Sequence, residues 1–298
     1  MALAVSGGGD SMGLLAAAAR DIPSRFTVLT VDHALREGSA ADAAHVVATC
    51  EERGFPCEVL TVRWDGDSAP ASNRAARARD ARYGLMAEAC ARLGAEALLT
   101  AHHADDQAET LLMRLARGSG SKGLAGIRQR SEIAGLTVLR PYLAERSERL
   151  RETARTAGFT WREDPSNNDL TQDRPRVRAL LRESGAFEAD ALAASAAHLA
   201  DSEEVLAWVT TETLRSRVVR TEGAFVFDHE GLPPELKRRV LAHLLPESRG
   251  GDVAALASKL QSNEAATLGG YRFAPGPTWR GSAEMRRPGA QSPHGLGS

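Results

Sequence analysis

The sequence predicts an α/β protein: a parallel sheet with helices on both faces, then a helical arm and a small C-terminal α/β module. Three observations carry this. Short apolar segments alternate with longer Ala- and Leu-rich ones through residue 117, the pattern of repeated strand–helix units. The strand-like segments lack in–out alternation, which fits burial on both faces. A run of glycines follows the first of them, where such a sheet turns from strand to helix.

Taken in order, residues 2–6 read as a short apolar strand and 12–20 as an Ala/Leu helix. Residues 26–31 (FTVLTV) and 57–62 (CEVLTV) are β-branched strands separated by a helix over 40–53. A long amphipathic helix over 73–93 carries arginines on one face, and a fourth strand at 97–100 leads into a helix over 104–117. The segment 162–168 (REDPSNN) is polar, contains proline and reads as a loop. Residues 179–217 read as helix; then come a strand at 224–227, helices near 234–245 and 253–262, and a tail with Tyr271, Phe273 and Trp279. The expected organisation is an α/β domain over 1–185, a helical arm over 186–217 and a small C-terminal module over 218–298, whose last residues, 288–298, fray.

Composition narrows the class. With 43% apolar and 26% charged residues the chain is of ordinary globular make-up, not disordered or collagen-like. A net charge of −2 excludes nucleic-acid binding through bulk charge but leaves room for a local basic patch. The cations are arginines except Lys122, Lys237 and Lys259, and arginine grips phosphate bidentately. Cys50, Cys57 and Cys90 are odd in number and lack C-x-x-C spacing, so neither a disulfide framework nor a cysteine zinc site is expected. They read as small buried hydrophobes. Apolar runs fall far short of the roughly 20 residues a membrane span needs, and Met1 runs almost directly into a strand, without a leader. The expectation is a soluble, cytoplasmic protein.

The chemistry concentrates in four segments. Ser6-Gly7-Gly8-Gly9-Asp10-Ser11 joins the first strand to the first helix. Its glycines let backbone approach an anion, and the helix-start amides with the Ser6 and Ser11 hydroxyls supply donors. It is neither G-x-x-x-x-G-K-[ST] nor G-x-G-x-x-G. An acid at Asp10 beside phosphate calls for an intervening cation, which points to Mg²⁺ shared between Asp10 and a polyphosphate. Without such a ligand the run is a Gly-rich turn capped by serine. SGGGDS closely resembles the S-G-G-x-D-S signature of the PP-loop, or N-type, ATP pyrophosphatases, a family in which this loop holds the pyrophosphate of ATP while a substrate oxygen is adenylated.

Asp32-His33 closes the second strand; Arg79 and Arg82 lie nearly one helical turn apart; HHADDQAET (residues 102–110) and RGSG (117–120) follow the fourth strand; and Asp164-Pro165-Ser166-Asn167-Asn168 leads to Arg174, Arg176 and Arg178. This order resembles the tRNA(Ile)-lysidine synthetase family over roughly residues 2–180. The resemblance implies that ATP adenylates the C2 carbonyl oxygen of the wobble cytidine in the CAU anticodon of tRNA(Ile), and that free L-lysine then displaces AMP to give lysidine. The product reads AUA, and the tRNA changes from methionine to isoleucine identity. By the same resemblance Ser6, Gly7, Gly8, Gly9, Asp10, Ser11, Asp32, His33, Arg82 and His102 hold ATP, and Asp10 holds Mg²⁺. Asp106 and Glu109 bind lysine, Arg82 and Arg174 act on phosphates or developing charge, and Arg176 and Arg178 hold tRNA. The catalytic set implied is thus Asp10, Arg82, Asp106, Glu109 and Arg174. One departure is Pro175, where the family more usually has Asn between the arginines.

Plainer readings stand beside these. Asp105, Asp106 and Glu109 also suit a helix start as acids complementing the dipole. His102 and His103 lack H-E-x-x-H spacing and read as strand-end histidines near ATP, not as a zinc pair. Trp161 reads as core and Arg182 as solvated. The competing functions are another PP-loop adenylating enzyme, such as a tRNA thiolase, or a nucleotide-dependent tRNA-binding module without catalysis. A thiolase would need reactive cysteines, and an inactive module would not need Asp10 and both carboxylates. No protein partner and no membrane is expected.

Overall fold

The computed structural model describes residues 1–34, 38–64, 74–163, 169 and 171–283. In it β1 (Ala2–Ala4) lies inside a sheet, parallel to both β2 (Thr27–Asp32) and β4 (Leu98–Leu99). The six-stranded order is β3-β2-β1-β4-β6-β5, with β3 (Cys57–Thr61) at one edge and β5 (Arg130–Ile133) and β6 (Leu136–Leu139) at the other. All neighbours run parallel except the β5–β6 hairpin. That hairpin was not expected from the sequence. β5 is polar and half exposed, and β6, although apolar and parallel to β4, is only four residues long, too short to stand out as a periodic run.

Alternate residues of the strands feed two cores. Leu3, Val5 and Val28 pack with Met12, Val46, Cys50 and Phe159. Ala2, Leu29, Leu60 and Leu98 pack with Tyr83, Met86 and Cys90. The first core takes in α1 (Gly9–Asp21) and α2 (Ser39–Arg53), the second α3 (Arg74–Leu93). A sheet covered on both faces leaves its strand ends open, and the strand order reverses direction at β1, between β2 and β4. Ligands of such sheets sit beyond the carboxyl ends at that reversal.

α1 begins at Gly9, three residues ahead of the expected start, so the glycine loop and the helix overlap. A further helix, α6 (Ser147–Thr156), went unread because its mean hydropathy is low. It packs closely on α1: a Cβ at Gly13 would overlap the Leu150 carbonyl. Between β4 and α6 come α4 (Ala104–Ala116) and the short α5 (Ser121–Leu124). The expected single helix over 179–217 is two, α7 (Asp173–Ser184) and α8 (Ala189–Arg217), separated where Gly185 adopts the left-handed conformation that ends a helix.

The chain divides into two compact units, Met1–Asp201 and Ser202–Ser298, so the division falls inside α8. In the second unit the expected lone strand is one of five: β7 (Val218–Thr221), β8 (Ala224–Asp228), β9 (Ala266–Leu268), β10 (Tyr271–Ala274) and β11 (Thr278–Ala283), in the order β7-β8-β11-β10-β9. The pairings are antiparallel. Phe225, Phe227, Phe273 and Trp279 face Val240 and Leu241 of α9 (Pro234–Leu244) and Val253 and Leu256 of α10 (Gly250–Gln261). The Gly/Pro-rich texture that reads as a tail is the turn chemistry between these strands. Residues 288–298, expected to fray, lie outside the described residues.

Candidate active site

The loops after β1 and β4 meet at the reversal point. No side chain caps α1, so its first-turn amides remain for an anion. The Ser11 hydroxyl accepts from the Ser6 amide (3.1 Å) and donates to the Gly8 carbonyl (2.9 Å), while Gly7 turns through φ +84°. These contacts hold the loop in shape and leave Ser6 exposed.

Asp10, in the first turn of α1, faces the next elements. Its Oδ1 accepts from Ser147 Oγ (2.5 Å) and Arg151 Nε (3.2 Å) of α6, and its Oδ2 lies 3.5 Å from His103 Nε2. Burial alone would raise the carboxyl pKa, but His103, Ser147 and Arg151 outweigh it and bring it to about 2. Asp10 is therefore ionised at any working pH.

His103 caps α4 and touches three carboxylates: Asp10, Asp105 (Nδ1–Oδ2 3.4 Å) and Asp106 (Nε2–Oδ2 3.5 Å). Burial opposes its charge, but hydrogen bonding to Asp10 and Asp105 lifts its pKa to about 10. A charged imidazole cannot also accept the Asp106 amide at Nδ1, whose 3.4 Å separation is long. The half of the capping box that holds is the other one, the His103 amide donating to Asp106 Oδ2 at 3.2 Å. Asp105 is tied further to Arg146 (2.7 Å) and to the Ser147 amide (2.9 Å).

One turn along α4, Glu109 is 1% exposed and lies under α7. Its Oε1 accepts from Arg178 Nε at 2.6 Å; its Oε2 is 3.0 Å from Arg174 Nε, without hydrogen-bond alignment. Arg174 also lies 3.9 Å from Asp106 and donates to Thr110 Oγ1 at 3.3 Å. Pro175 falls in the first turn of α7, where no intrahelical amide bond is lost, so it starts the helix that carries Arg174. Arg178, expected at a tRNA phosphate, is turned onto Glu109; Arg176 is exposed and pairs with Asp173 (2.7 Å).

Across the strand ends lies a cationic region. Arg82 is half-buried, and among the described residues no carboxylate lies within ion-pairing distance of it. Burial, then Arg79 and Arg174 nearby, lowers its pKa. His102 bonds Thr100 Oγ1 through Nδ1 at 2.8 Å, and burial drives its pKa to about 3, so it is neutral. At the end of β2, Asp32 accepts from Ser39 Oγ (2.5 Å) and the Ala34 amide (2.9 Å). His33 receives the Trp64 indole N–H on its carbonyl, and its buried Nδ1 has no hydrogen-bond partner among the described residues. The structure thus brings Asp10, Asp106, Glu109 and Arg174 together around α4, and sets Arg82, His102 and His33 along the same strand ends. Asp164, Pro165, Ser166, Asn167 and Asn168 lie outside the described residues.

Ser147 and Arg151 were missed by sequence reasoning, and so was the linking role of His103. Ser147 is 137 positions from Asp10, and no local pattern signals such a pairing. Among the described residues no group of three or more His, Cys, Asp or Glu is arranged to hold a metal. The donor set around Asp10 therefore does not fit a protein-only cage. Mg²⁺ that keeps water and phosphate ligands needs one carboxylate oxygen from the chain, and Asp10 would offer it in competition with Arg151 and the charged His103. No helix among the described residues is long and apolar enough to cross a membrane.

Residues 1–184 match the family model of the PP-loop domain. The tRNA(Ile)-lysidine synthase of Novosphingobium aromaticivorans is 39% identical over 278 residues, covering 91% of this chain and 84% of that protein. That of Salinispora arenicola is 37% identical over 296 residues, covering 96% and 85%. Among solved structures, a U34-tRNA thiolase from Methanococcus maripaludis with its 4Fe-4S cluster matches with a TM-score of 0.56 at 16% identity, over 67% of this chain and 72% of that one. At that identity the likeness speaks for the fold alone.

Proposed function

Since the chain belongs to the tRNA(Ile)-lysidine synthase family of PP-loop, ATP-dependent ligases, we propose that it joins L-lysine to C2 of the wobble cytidine in the CAU anticodon of tRNA(Ile). The C2 oxygen attacks the α-phosphorus of ATP and pyrophosphate leaves. The lysine side-chain amine then attacks C2, loses a proton, and AMP departs with the oxygen.

The observation that carries this reading is Glu109. A carboxylate 1% exposed, with one oxygen lacking an aligned donor among the described residues and Asp106 beside it, suits a substrate ammonium. Asp106, only 14% exposed, is placed to take up the proton the amine loses. Arg82, a cation without a carboxylate partner among the described residues, suits the phosphates and the charge that builds as pyrophosphate leaves. The glycine loop and the amides of α1 cradle the pyrophosphate end, with Asp32, His33 and His102 toward the nucleoside. Asp10 would hold Mg²⁺, which would supply charge neutralisation at the phosphates.

The catalytic domain proposed spans 1–185, the arm 186–217 and the tRNA-binding module 218–298. In the last, the strand residues Arg272 and Arg280 alternate with the buried Phe273 and Trp279 and are exposed, on the sheet face away from the apolar core. With Arg176 they offer phosphate contacts, which makes tRNA affinity fall steeply with salt. A reaction on tRNA with ATP and free lysine belongs in the cytoplasm. Against a thiolase, Cys50 and Cys90 are buried in the two helix–sheet cores and Cys57 packs against the first.

The test is incorporation of radiolabelled L-lysine into an unmodified tRNA(Ile) transcript. Acid-stable label that requires ATP, Mg²⁺ and the wobble cytidine is expected. Pyrophosphate release with tRNA but without lysine incorporation would move the function to a sister adenylating enzyme.

A further inference from the structure

The proposed lysine site holds two cations already. A buried carboxylate must be paired, because an isolated charge out of water is costly. Glu109 meets that need with Arg178 at 2.6 Å and Arg174 at 3.0 Å, both from α7 and not from its own helix. Arg174 reaches Asp106 as well. Two carboxylates thus face two guanidiniums, and Asp106 faces the cationic His103 as well. An ammonium entering beside Glu109 would add a positive charge to a poorly hydrated place already matched by cations, unless one guanidinium moves or an anion arrives.

The geometry distinguishes the two guanidiniums. Arg178 is aligned on Oε1 and is the more buried of the two, with 33% of its side chain exposed. Arg174 is 44% exposed, contacts Oε2 out of alignment and lies near enough to Arg82 to depress its pKa. Arg174 therefore stands between a carboxylate it pairs with imperfectly and a second arginine that has no carboxylate partner among the described residues. A phosphate arriving on that side would compete with Glu109 for Arg174, whose hold on Oε2 is unaligned.

Building on the lysine-ligation reading, we propose that Arg174 is an exchangeable counter-cation that keeps the amine site closed until a phosphate-bearing ligand draws it toward Arg82, so that anion binding precedes and strengthens lysine binding. Arg178 stays on Glu109 and prevents the carboxylate from being stranded during the exchange. The consequence is an ordered reaction: free lysine does not fill the site ahead of the nucleotide and the activated tRNA.

Equilibrium dialysis of labelled L-lysine against the full chain tests this, in three arms: no ligand, saturating α,β-methylene-ATP with Mg²⁺, and unmodified tRNA(Ile) transcript. Lysine should bind about tenfold tighter with the nucleotide analogue, and lysine should tighten the analogue by the same factor. In Arg174→Gln the nucleotide-free affinity should rise toward the nucleotide-bound value and the coupling should vanish. Equal lysine affinity in all three arms, or full coupling retained in Arg174→Gln, overturns the proposal. Should Arg174→Gln fail to fold, the three arms on the unaltered chain decide alone. Glu109→Gln separates this from the underlying reading: unchanged lysine binding in that variant discards Glu109 as the lysine ligand, and the exchange with it. Lost lysine binding in Glu109→Gln, with no nucleotide dependence in the unaltered chain, discards only the exchange.

Discussion

The two ends of the first turns of α4 solve opposite electrostatic problems. At His103 one cation is surrounded by the carboxylates of Asp10, Asp105 and Asp106. At Glu109 one carboxylate is held by the cations of Arg174 and Arg178. The first cluster draws on the β1 loop, the β4 loop and α6, elements locked by the sheet and by the close contact of α1 with α6. The second draws both its cations from α7 alone. The difference teaches where rigidity and exchange reside: the phosphate end is held by groups from three packed elements, while the amine end is closed by side chains of one helix, partly exposed.

The largest expected effect is at the rigid end. Asp10→Ala should lower tRNA-dependent pyrophosphate release by about 10³-fold with tRNA affinity by filter binding nearly unchanged, since the residue sits far in sequence from the proposed tRNA module. Near-normal pyrophosphate release would remove Asp10 from the phosphate chemistry. At the exchanging end, Glu109→Gln should raise the KM for lysine by about 10²-fold while shifting that for ATP far less. Equal shifts in both would mean that the variant disturbs the start of α4 as a whole and that the two ends are not separable.

A smaller effect probes the packing beneath the rigid end. Ala replacing an open helical glycine gains roughly 1 kcal/mol, and Gly84 in α3 is such a position, with nothing within 4 Å of a built Cβ. At Gly13 the sign inverts: the Cβ would overlap the Leu150 backbone, so Gly13→Ala should destabilise by about 1–3 kcal/mol in urea unfolding. Stabilisation by both substitutions would show that α6 is not pressed on α1, and the clamp of Ser147 and Arg151 on Asp10 would lose its support.

The smallest is a pH slope. His102 has a pKa of about 3 in the folded chain against 6.5 for the free side chain, so at this group the folded state binds fewer protons and its contribution to stability is complete above pH 6.5. It should fall as pH drops below 6.5, by at most about 1.4 kcal/mol per unit. Chemical denaturation between pH 6.5 and about 4.5 should show that slope flattened in His102→Gln. An unchanged slope would assign the acid sensitivity to other groups.

Much of this was readable from the chain. The strand–helix alternation gave the parallel sheet and the ends of β2, α2, β3 and α3 to within a residue or so, because a strand buried on both faces and an amphipathic helix each leave a periodic mark. The β5–β6 hairpin, α6 and the C-terminal sheet escaped for the converse reason: they are short, half exposed or polar, and their stability comes from what they pack against. At the site, SGGGDS and HHADDQAET were visible as local patterns, since a loop that approaches phosphate needs glycine and a helix start favours acids.

What the sequence by itself determined was therefore the set of chemical groups and the sheet that carries them. Only the tertiary structure decided their partners. Asp10 meets Ser147 and Arg151 because α6 lies on α1; His103 becomes a cation because three carboxylates from the starts of α1 and α4 converge on it; Arg178 turns to Glu109 because α7 packs on α4. Pairing of charges across a hundred or so residues depends on distances of a few ångströms and on the exclusion of water, quantities that come into being only when the elements have packed.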